Sequence, residues 1–158
     1  MCNVDEKSIM DGNNHSKVFI SKFGPKNTLI ISSEIENQIN QLDYKEKESY
    51  MKMIGMNNTG LGDLIKKGYD LLELNTFFTS GPEKSRAWTI SKNSYAPEAA
   101  GVIHTDFEKG FIRAETISFK DFVRYNGWSD AKKEGKMRLE GKDYQVKDGD
   151  VLNFRFNT

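Results

Sequence analysis

The segment from His104 to Lys109 brings together four groups that can carry acid or base chemistry: His104, Asp106, Glu108 and Lys109. Side chains of these types transfer protons when they lie within hydrogen-bond reach of a substrate. The segment also fits a structural role, because a threonine three positions before a glutamate is the pattern of a capping box. Thr105 and Glu108 would then satisfy free backbone amides at the start of a helical turn.

The structural interpretation explains most of this segment. Gly110 can end the turn with a positive φ, and the acids suit the positive end of a helix. A lone histidine more often has a structural role than a catalytic one, and no second histidine or cysteine nearby indicates a metal site. We therefore predict no catalytic residue and no metal site, and His104 and Lys109 are left without a structural role.

The composition is that of a globular chain with balanced charge. Its 158 residues include 23 Lys and Arg, 23 Asp and Glu, and one cysteine. This length fits one domain or a smaller domain with an appendage, and the charge balance gives no reason to expect DNA binding. No apolar run approaches the roughly 20 residues of a membrane-spanning helix. The first residues lack a signal-peptide pattern, and one cysteine is consistent with a reducing compartment. We expect a cytoplasmic protein without a membrane partner.

The first half of the chain combines one strand pattern with several helical patterns. Residues 28–32 form a short apolar run, which predicts a strand buried on both faces of a parallel sheet. A helical spacing follows from Ile35 to Leu42. Asp43 and Thr59 then stand where N-caps of a second and a third helix are expected.

Strand patterns dominate the second half. Segments 76–79 and 86–90 flank Gly81–Lys84, which predicts a hairpin. A short helix is predicted over 96–103, where Pro97 suits the first turn.

A third strand is predicted over 111–117 and a short helix over 120–125. At the C-terminus, strands over 144–146 and 151–156 would form a second hairpin, and the latter alternates apolar with polar residues. These elements predict an α+β domain with one mixed sheet and a helix packed across one face. Ubiquitin-like β-grasp folds have this order of elements.

Five segments of the second half form a long and specific pattern. They are Thr79–Glu83, Arg86–Ile90, Ala96–Glu115, Gly135–Tyr144 and Asp148–Phe156. From about residue 73 to the end, this pattern resembles the TGS domain at the C-terminus of the Obg-like ATPases of the YchF type. The resemblance implies a β-grasp fold. It also implies binding to the ribosome or ribosomal RNA, because TGS domains occur in threonyl-tRNA synthetases, stringent-response synthetases and ribosome-associated GTPases.

Two upstream motifs resemble the base-recognition motifs of the same family. Asn3–Glu6 is similar to its Asn-x-x-Glu motif, where related GTPases carry Asn-Lys-x-Asp, and Ile31–Glu34 is similar to the motif that closes over the base. In this family, the glutamate that ends the first motif in place of aspartate, here Glu6, is associated with accepting ATP. For the full-length family the resemblance implies ATP or GTP together with Mg²⁺. In this chain it implies base contacts from Asn3, Val4, Glu6, Ser32 and Ser33.

The family's phosphate-binding loop is absent from this sequence, which contains no Gly-Lys-[Ser/Thr]. Phosphate contacts dominate nucleotide affinity, so we expect negligible ATP binding, no hydrolysis and no cofactor for this chain alone. It is interpreted as the C-terminal portion of a longer protein. Residues 1–40 would be a remnant of the α/β P-loop nucleotide-binding domain, 41–72 a helical connector and 73–158 the TGS domain.

A basic segment is the candidate contact for RNA phosphates. Acidic residues alternate with its cations, so the residues alone are equally consistent with a solvated surface that binds nothing. The resemblance to a TGS domain favours contact with RNA phosphates. The candidate surface comprises His104, Lys109, Arg113, Lys132, Lys133, Lys136, Arg138 and Lys142. Arg113 and Glu115 share one strand face and could instead pair with each other. The alternative function is a protein-interaction module that docks on its missing ATPase domain or on another factor.

Overall fold

The computed structural model describes residues 1–157, which divide into two compact units after Gly68. The first unit contains helices, two short 3-10 turns at Glu6–Ser8 and Pro25–Asn27, and one pair of parallel strands. Its elements are β1 (Cys2–Asn3), α1 (Asn14–Phe23), β2 (Ile30–Ile31), α2 (Ser33–Gln41), α3 (Tyr44–Met53) and α4 (Gly60–Leu71), whose last turn lies past the boundary. None of the helices within residues 1–157 combines the length and the apolar character of a membrane-spanning segment.

Polar side chains fix the starts of two helices in this unit. The predicted cap Asp43 is confirmed, because its carboxylate accepts from the backbone N–H groups of Lys45 and Glu46 at 2.9 Å each. The hydroxyl of Thr59 accepts from the N–H of Gly62 at 3.1 Å. These bonds satisfy amides that have no partner within the first helical turn.

The strand predicted over 28–32 is shorter than expected. Only β2 pairs, in parallel with β1, and its two isoleucines are half-buried, so the prediction of a strand buried on both faces is wrong. The Thr28 hydroxyl donates to the carbonyl of Gly24 at 2.9 Å, and the Ser32 hydroxyl accepts from the N–H of Ile35 at 3.4 Å. Both ends of the apolar run are thus bonded within the adjoining turn and helix.

The second unit is a mixed α+β structure, as predicted. Its elements are β3 (Leu74–Ser80), β4 (Ser85–Ser91), α5 (Ala96–Ile103), α6 (Thr105–Lys109), β5 (Phe111–Ser118), α7 (Phe119–Arg124), α8 (Trp128–Lys133), β6 (Arg138–Glu140) and β7 (Asp150–Phe156). The five strands form one sheet in the order β4-β3-β7-β5-β6. β3 and β7 are parallel, and the other neighbouring pairs are antiparallel.

The first hairpin, the helix over 96–103 and the third strand are confirmed by β3–β4, α5 and β5. The second hairpin is wrong, because β7 pairs with β5 and β3 instead of with 144–146. Gln145 forms an isolated bridge with Tyr95, and the N–H of Val146 donates to the carbonyl of Ser94 at 3.0 Å. The backbone of this segment is therefore bonded to the turn before α5.

Small residues on α5 face the core of the second unit. Ala96, Ala99 and Ala100 are completely buried and belong to the same cluster as Phe77 and Phe154. Alanine carries no side chain beyond Cβ, so the helix backbone can approach the sheet closely. The two phenylalanine rings meet edge to face at 6.0 Å. This packing holds the sheet whose strands β5 and β6 carry Arg113 and Arg138 of the candidate surface.

Candidate functional site

The two predicted base-recognition motifs meet at one edge of the β1–β2 pair. Parallel strands end at the same edge of a sheet, so the loops that follow β1 and β2 emerge side by side. The Asn3 side-chain oxygen accepts from the backbone N–H of Ser33 at 2.9 Å and from its hydroxyl at 3.0 Å. The structure therefore brings Asn3 and Ser33 together, and both are exposed.

The other three predicted base contacts differ in accessibility. Val4 and Ser32 are buried, at 7% and 1% exposure, whereas Glu6 is exposed. The Glu6 carboxylate accepts a hydrogen bond from the side-chain amide of Gln38, whose oxygen in turn accepts from the Tyr50 hydroxyl. Sequence reasoning missed both partners, because a glutamine on α2 and a tyrosine on α3 carry no motif that points to Glu6.

The turn from His104 to Lys109 begins with a different cap from the predicted one. His104 is the N-cap of α6, and its Nδ1 accepts from the backbone N–H of Asp106 at 3.1 Å. The capping box of Thr105 and Glu108 is wrong, because Thr105 is already the first helical residue. An accepting Nδ1 carries no proton, so a neutral ring has its proton on Nε2. His104 therefore has the structural role that the sequence left unassigned.

The predicted positive φ at Gly110 is also wrong, since its φ is −89°. A Cβ at this position would lie 1.9 Å from the carbonyl oxygen of Asn157. The N–H of Asn157 donates to the carbonyl of Gly110 at 2.9 Å. Glycine is therefore needed here for the close approach of two backbone segments, and not for a left-handed conformation.

Glu115 is bound by Arg155 and Asn153 and not by Arg113. The guanidinium of Arg155 donates through Nε at 3.2 Å and Nη2 at 3.1 Å, and the Asn153 amide donates at 2.8 Å. Burial opposes ionisation of Glu115, but these donors and the nearby charges of Arg155 and Arg113 outweigh it and lower the carboxyl pKa. Arg113 is exposed and makes no ion pair within residues 1–157, so the predicted Arg113–Glu115 pair is wrong.

Glu115→Gln is expected to destabilise the second unit by about 1 kcal/mol near neutral pH, because charge-assisted bonds are lost at a partly exposed pair. The folded-state pKa of Glu115 lies below its ordinary value of 4.5. Its contribution is therefore complete above that value and is lost as pH falls through the lower, folded pKa. Urea unfolding at about pH 7 and about pH 3 should show the two proteins converging in acid.

Glu83→Gln in the exposed β3–β4 turn is the matched control for this measurement, because Glu83 makes no ion pair within the described chain. An equal difference between Glu115→Gln and the parent protein at both pH values would contradict the electrostatic origin of the effect.

The predicted basic surface contains both free and paired cations. Lys133 is bound to Asp130 at 2.8 Å and is exposed. Arg138 contacts Glu140 at 2.9 Å and also reaches the Tyr144 hydroxyl at 2.9 Å. The cations that are exposed and make no ion pair with any residue from 1 to 157 are Lys109, Arg113, Lys132, Lys136 and Lys142.

These observations define the chain as an α+β protein region with two sheets. One is a pair of parallel strands whose ends are joined by a contact between an asparagine and a serine, and the other is a mixed sheet of five strands. Residues 74–157 match the family model YchF-GTPase_C, described as a protein of unknown function (DUF933). This match covers more than half of the chain, which therefore belongs to the YchF family.

Individual relatives give the same result. The chain is similar to the ribosome-binding ATPase YchF of Escherichia coli O157:H7, with 55% identity over 80% of this chain and 35% of that protein. It is 45% identical to the ribosome-binding ATPase YchF of Bacillus subtilis strain 168, over 99% of this chain and 44% of that one. The structure of the Schizosaccharomyces pombe YchF GTPase superposes with a TM-score of 0.80 at 32% identity, covering 97% and 42% of the two chains. The chain thus spans less than half the length of these relatives.

Proposed function

We propose that this chain is the C-terminal part of a translation-associated ATPase of the YchF type, and that residues 73–158 form its TGS domain with a ubiquitin-like β-grasp fold. Support comes from the mixed sheet, in which β7 lies between β3 and β5, and from α5 packed across one face. Residues 1–40 are a remnant of the nucleotide-binding domain, and 41–72 are a helical connector. The protein acts in the cytoplasm.

The TGS module binds the ribosome through ribosomal RNA. The observation that carries this proposal is the set of free cations between 132 and 142, in a chain whose relatives at 45–55% identity are named ribosome-binding ATPases. Lys132, Lys136 and Lys142 have no carboxylate partner within residues 1–157, so their ammonium groups are free to contact phosphates. Contacts of this kind release counterions and make affinity strongly salt-dependent.

Changing Lys132, Lys136 and Lys142 to glutamine together is expected to weaken ribosome binding and to flatten its salt dependence. For single-stranded RNA the slope of log affinity against log salt should fall by about 2, because each phosphate contact contributes about 0.7. Co-sedimentation with purified ribosomal subunits across a salt series measures both quantities. Lys45→Gln, Lys47→Gln and Lys66→Gln together change the same net charge in the first unit and serve as control. An unchanged slope in the first triple variant would exclude this surface as the contact.

A protein-interaction module without RNA contact is the second candidate function, in which the domain docks on its own nucleotide domain or on another factor. It is favoured by the ion pairs Lys133–Asp130 and Arg138–Glu140, which reduce the free positive charge of the candidate surface. Treating the sedimented material with nuclease separates the two functions. Binding that survives complete RNA digestion would support the second candidate.

The chain alone is expected to bind ATP negligibly and not to hydrolyse it. Asn3 and Ser33 fit the base end of a nucleotide, but the sequence has no phosphate-binding loop, and phosphate contacts supply most nucleotide affinity. In the whole family protein, ATP or GTP with Mg²⁺ would occupy the complete domain. Isothermal titration calorimetry with ATP and Mg²⁺ should show no heat of binding, and a Kd of about 1 mM or tighter would overturn this expectation.

A further inference from the structure

The outer edge of β4 is an open edge of the five-stranded sheet. Within residues 1–157, β4 pairs only with β3, through seven consecutive residue pairs without a register shift. The opposite edge strand, β6, has only three residues. Short edge strands, bulges and prolines protect sheet edges from pairing with other chains. β4 is seven residues long, has no bulge or proline, and carries Arg86 as its only charged residue, so its backbone presents a long template for another strand.

The direction of each backbone group of β4 follows from two hydrogen bonds at the ends of the hairpin. The N–H of Gly81 donates to the carbonyl of Lys84 at 2.9 Å, and the N–H of Lys92 donates to the carbonyl of Glu73 at 2.6 Å. Hydrogen-bonded pairs alternate with non-hydrogen-bonded pairs along an antiparallel ladder. Even-numbered residues of β4 therefore bond to β3, and the backbone groups of Ser85, Ala87, Thr89 and Ser91 point outward.

The side chains of β4 determine which charge and shape an added strand would need. Arg86, Trp88 and Ile90 lie on the face that carries the core, with Ile90 buried and Trp88 half-buried. Arg86 is exposed, makes no ion pair within the described residues, and has its guanidinium 6.0 Å from the Trp88 ring. The opposite face carries small residues, and there the Tyr69 hydroxyl lies within hydrogen-bond distance of the Thr89 hydroxyl, at 2.9 Å. From 81 to 92 the sequence has three basic residues and one acid. Lys92 pairs with Asp70 at 3.4 Å, so Lys84 and Arg86 are the cations of this segment that make no ion pair within residues 1–157.

We propose that β4 binds an extended acidic segment of a partner protein, which adds to the sheet as a further antiparallel strand. The backbone of this segment would pair with the outward groups of Ala87 and of the other odd-numbered residues of β4. An acidic side chain would lie opposite Arg86 and an apolar side chain opposite Trp88. Strand addition derives affinity from main-chain hydrogen bonds and specificity from alternate side chains. The basic edge favours an acidic segment over a second copy of this chain, whose own edge is also basic.

The probe is the capped peptide Thr-Val-Thr-Val-Thr-Glu-Thr, which places its glutamate opposite Arg86 when it runs antiparallel to β4. Titration into the isotope-labelled chain should shift the amide NMR signals of Ser85, Ala87, Thr89 and Ser91. Replacing the glutamate by lysine is expected to weaken binding about threefold, as for other cross-strand charge pairs. With Arg86→Glu, the order of the two peptides should reverse.

Ala87→Pro removes an outward N–H without removing a bond to β3, and it should abolish the shifts while the rest of the spectrum is retained. Ala87→Thr keeps that N–H and is the matched control. Equal binding by Ala87→Pro and Ala87→Thr, no reversal with Arg86→Glu, or no shifts at millimolar peptide would each overturn the proposal. If the signals of the edge residues shifted with protein concentration in the absence of peptide, the partner of β4 would be a second copy of this chain and not an acidic segment.

Discussion

Gly110→Ala is expected to destabilise the second unit by about 3 kcal/mol, the upper part of the range for overpacked sites. The new Cβ would lie 1.9 Å from the carbonyl oxygen of Asn157 and 3.0 Å from its carbonyl carbon. Both obstacles are backbone atoms, which cannot move aside by a rotamer change. Relief requires Asn157 to move away from Gly110, and this breaks the 2.9 Å bond from the Asn157 N–H to the Gly110 carbonyl. Urea unfolding followed by far-ultraviolet circular dichroism measures the loss.

Gly141→Ala is the matched control, because a Cβ on Gly141 meets nothing within 4 Å and its φ lies outside the left-handed region. Its effect should stay within about 0.5 kcal/mol. Shortening the chain to residue 156 removes the obstacle, so Gly110→Ala should cost much less in the shortened chain than in the full one. Equal costs in the two chains would show that the contact with Asn157 does not cause the instability.

Local patterns in the sequence predicted the elements of the second unit but not all of their pairings. The first hairpin and α5 depend on residues that are close in sequence, such as the turn after Ser80 and Pro97 in the first helical turn. β7 instead lies between β3 and β5, whose residues are distant in sequence. Alternating polarity identifies a half-buried strand but carries no information about its neighbours. The second hairpin was predicted only because two short segments were adjacent in the chain.

The candidate site shows the same division. The resemblance to two base-recognition motifs implied base contacts from both Asn3 and Ser33, and the structure joins these residues by two hydrogen bonds. The resemblance could not reveal that Gln38 and Tyr50 hold Glu6, because those contacts depend on how three elements pack. His104 was missed as a cap because serine, threonine, aspartate and asparagine are the usual N-cap residues. Gly110 was assigned a positive φ, which is the common role of a glycine at a helix end. The contact that requires glycine comes from Asn157, which is far along the chain and could not be recognised from the local sequence.

Asp148, Gly149 and the first residue of β7, Asp150, connect several elements of the second unit. The Asp148 carboxylate accepts from the N–H of Thr76 at 2.8 Å, and the N–H of Gly149 donates to the Thr76 carbonyl at 2.8 Å. Asp150 is only 3% exposed and accepts from the Tyr144 hydroxyl at 2.7 Å. Burial, together with the bond to this carboxylate, raises the pKa of Tyr144. Much of the family pattern in this loop thus has a structural explanation.

Asp150→Ala is expected to destabilise the second unit by about 3 kcal/mol, because removing one member of a buried charged network leaves its partners without acceptors. The carboxylate accepts from the N–H of Lys147 at 2.9 Å as well as from Tyr144, and Arg138 Nη2 lies 3.6 Å from its second oxygen. The midpoint of urea unfolding should fall, and the pKa of the Tyr144 phenol should move down because the neighbouring negative charge is gone. Absorbance at alkaline pH, compared with a Tyr144→Phe protein, isolates that phenol.

Two further substitutions distinguish the contribution of the buried Asp150 carboxylate to stability from that of the exposed Arg138 guanidinium beside it. Arg138→Ala should cost about 1 kcal/mol, because the Arg138 side chain is 44% exposed and water replaces much of the interaction. Asp143→Ala removes an exposed acid of the same segment and should be nearly neutral. If Arg138→Ala were as damaging as Asp150→Ala, the ion pair would dominate the network. In that case Arg138 would have to be treated as a structural residue and removed from the candidate RNA surface.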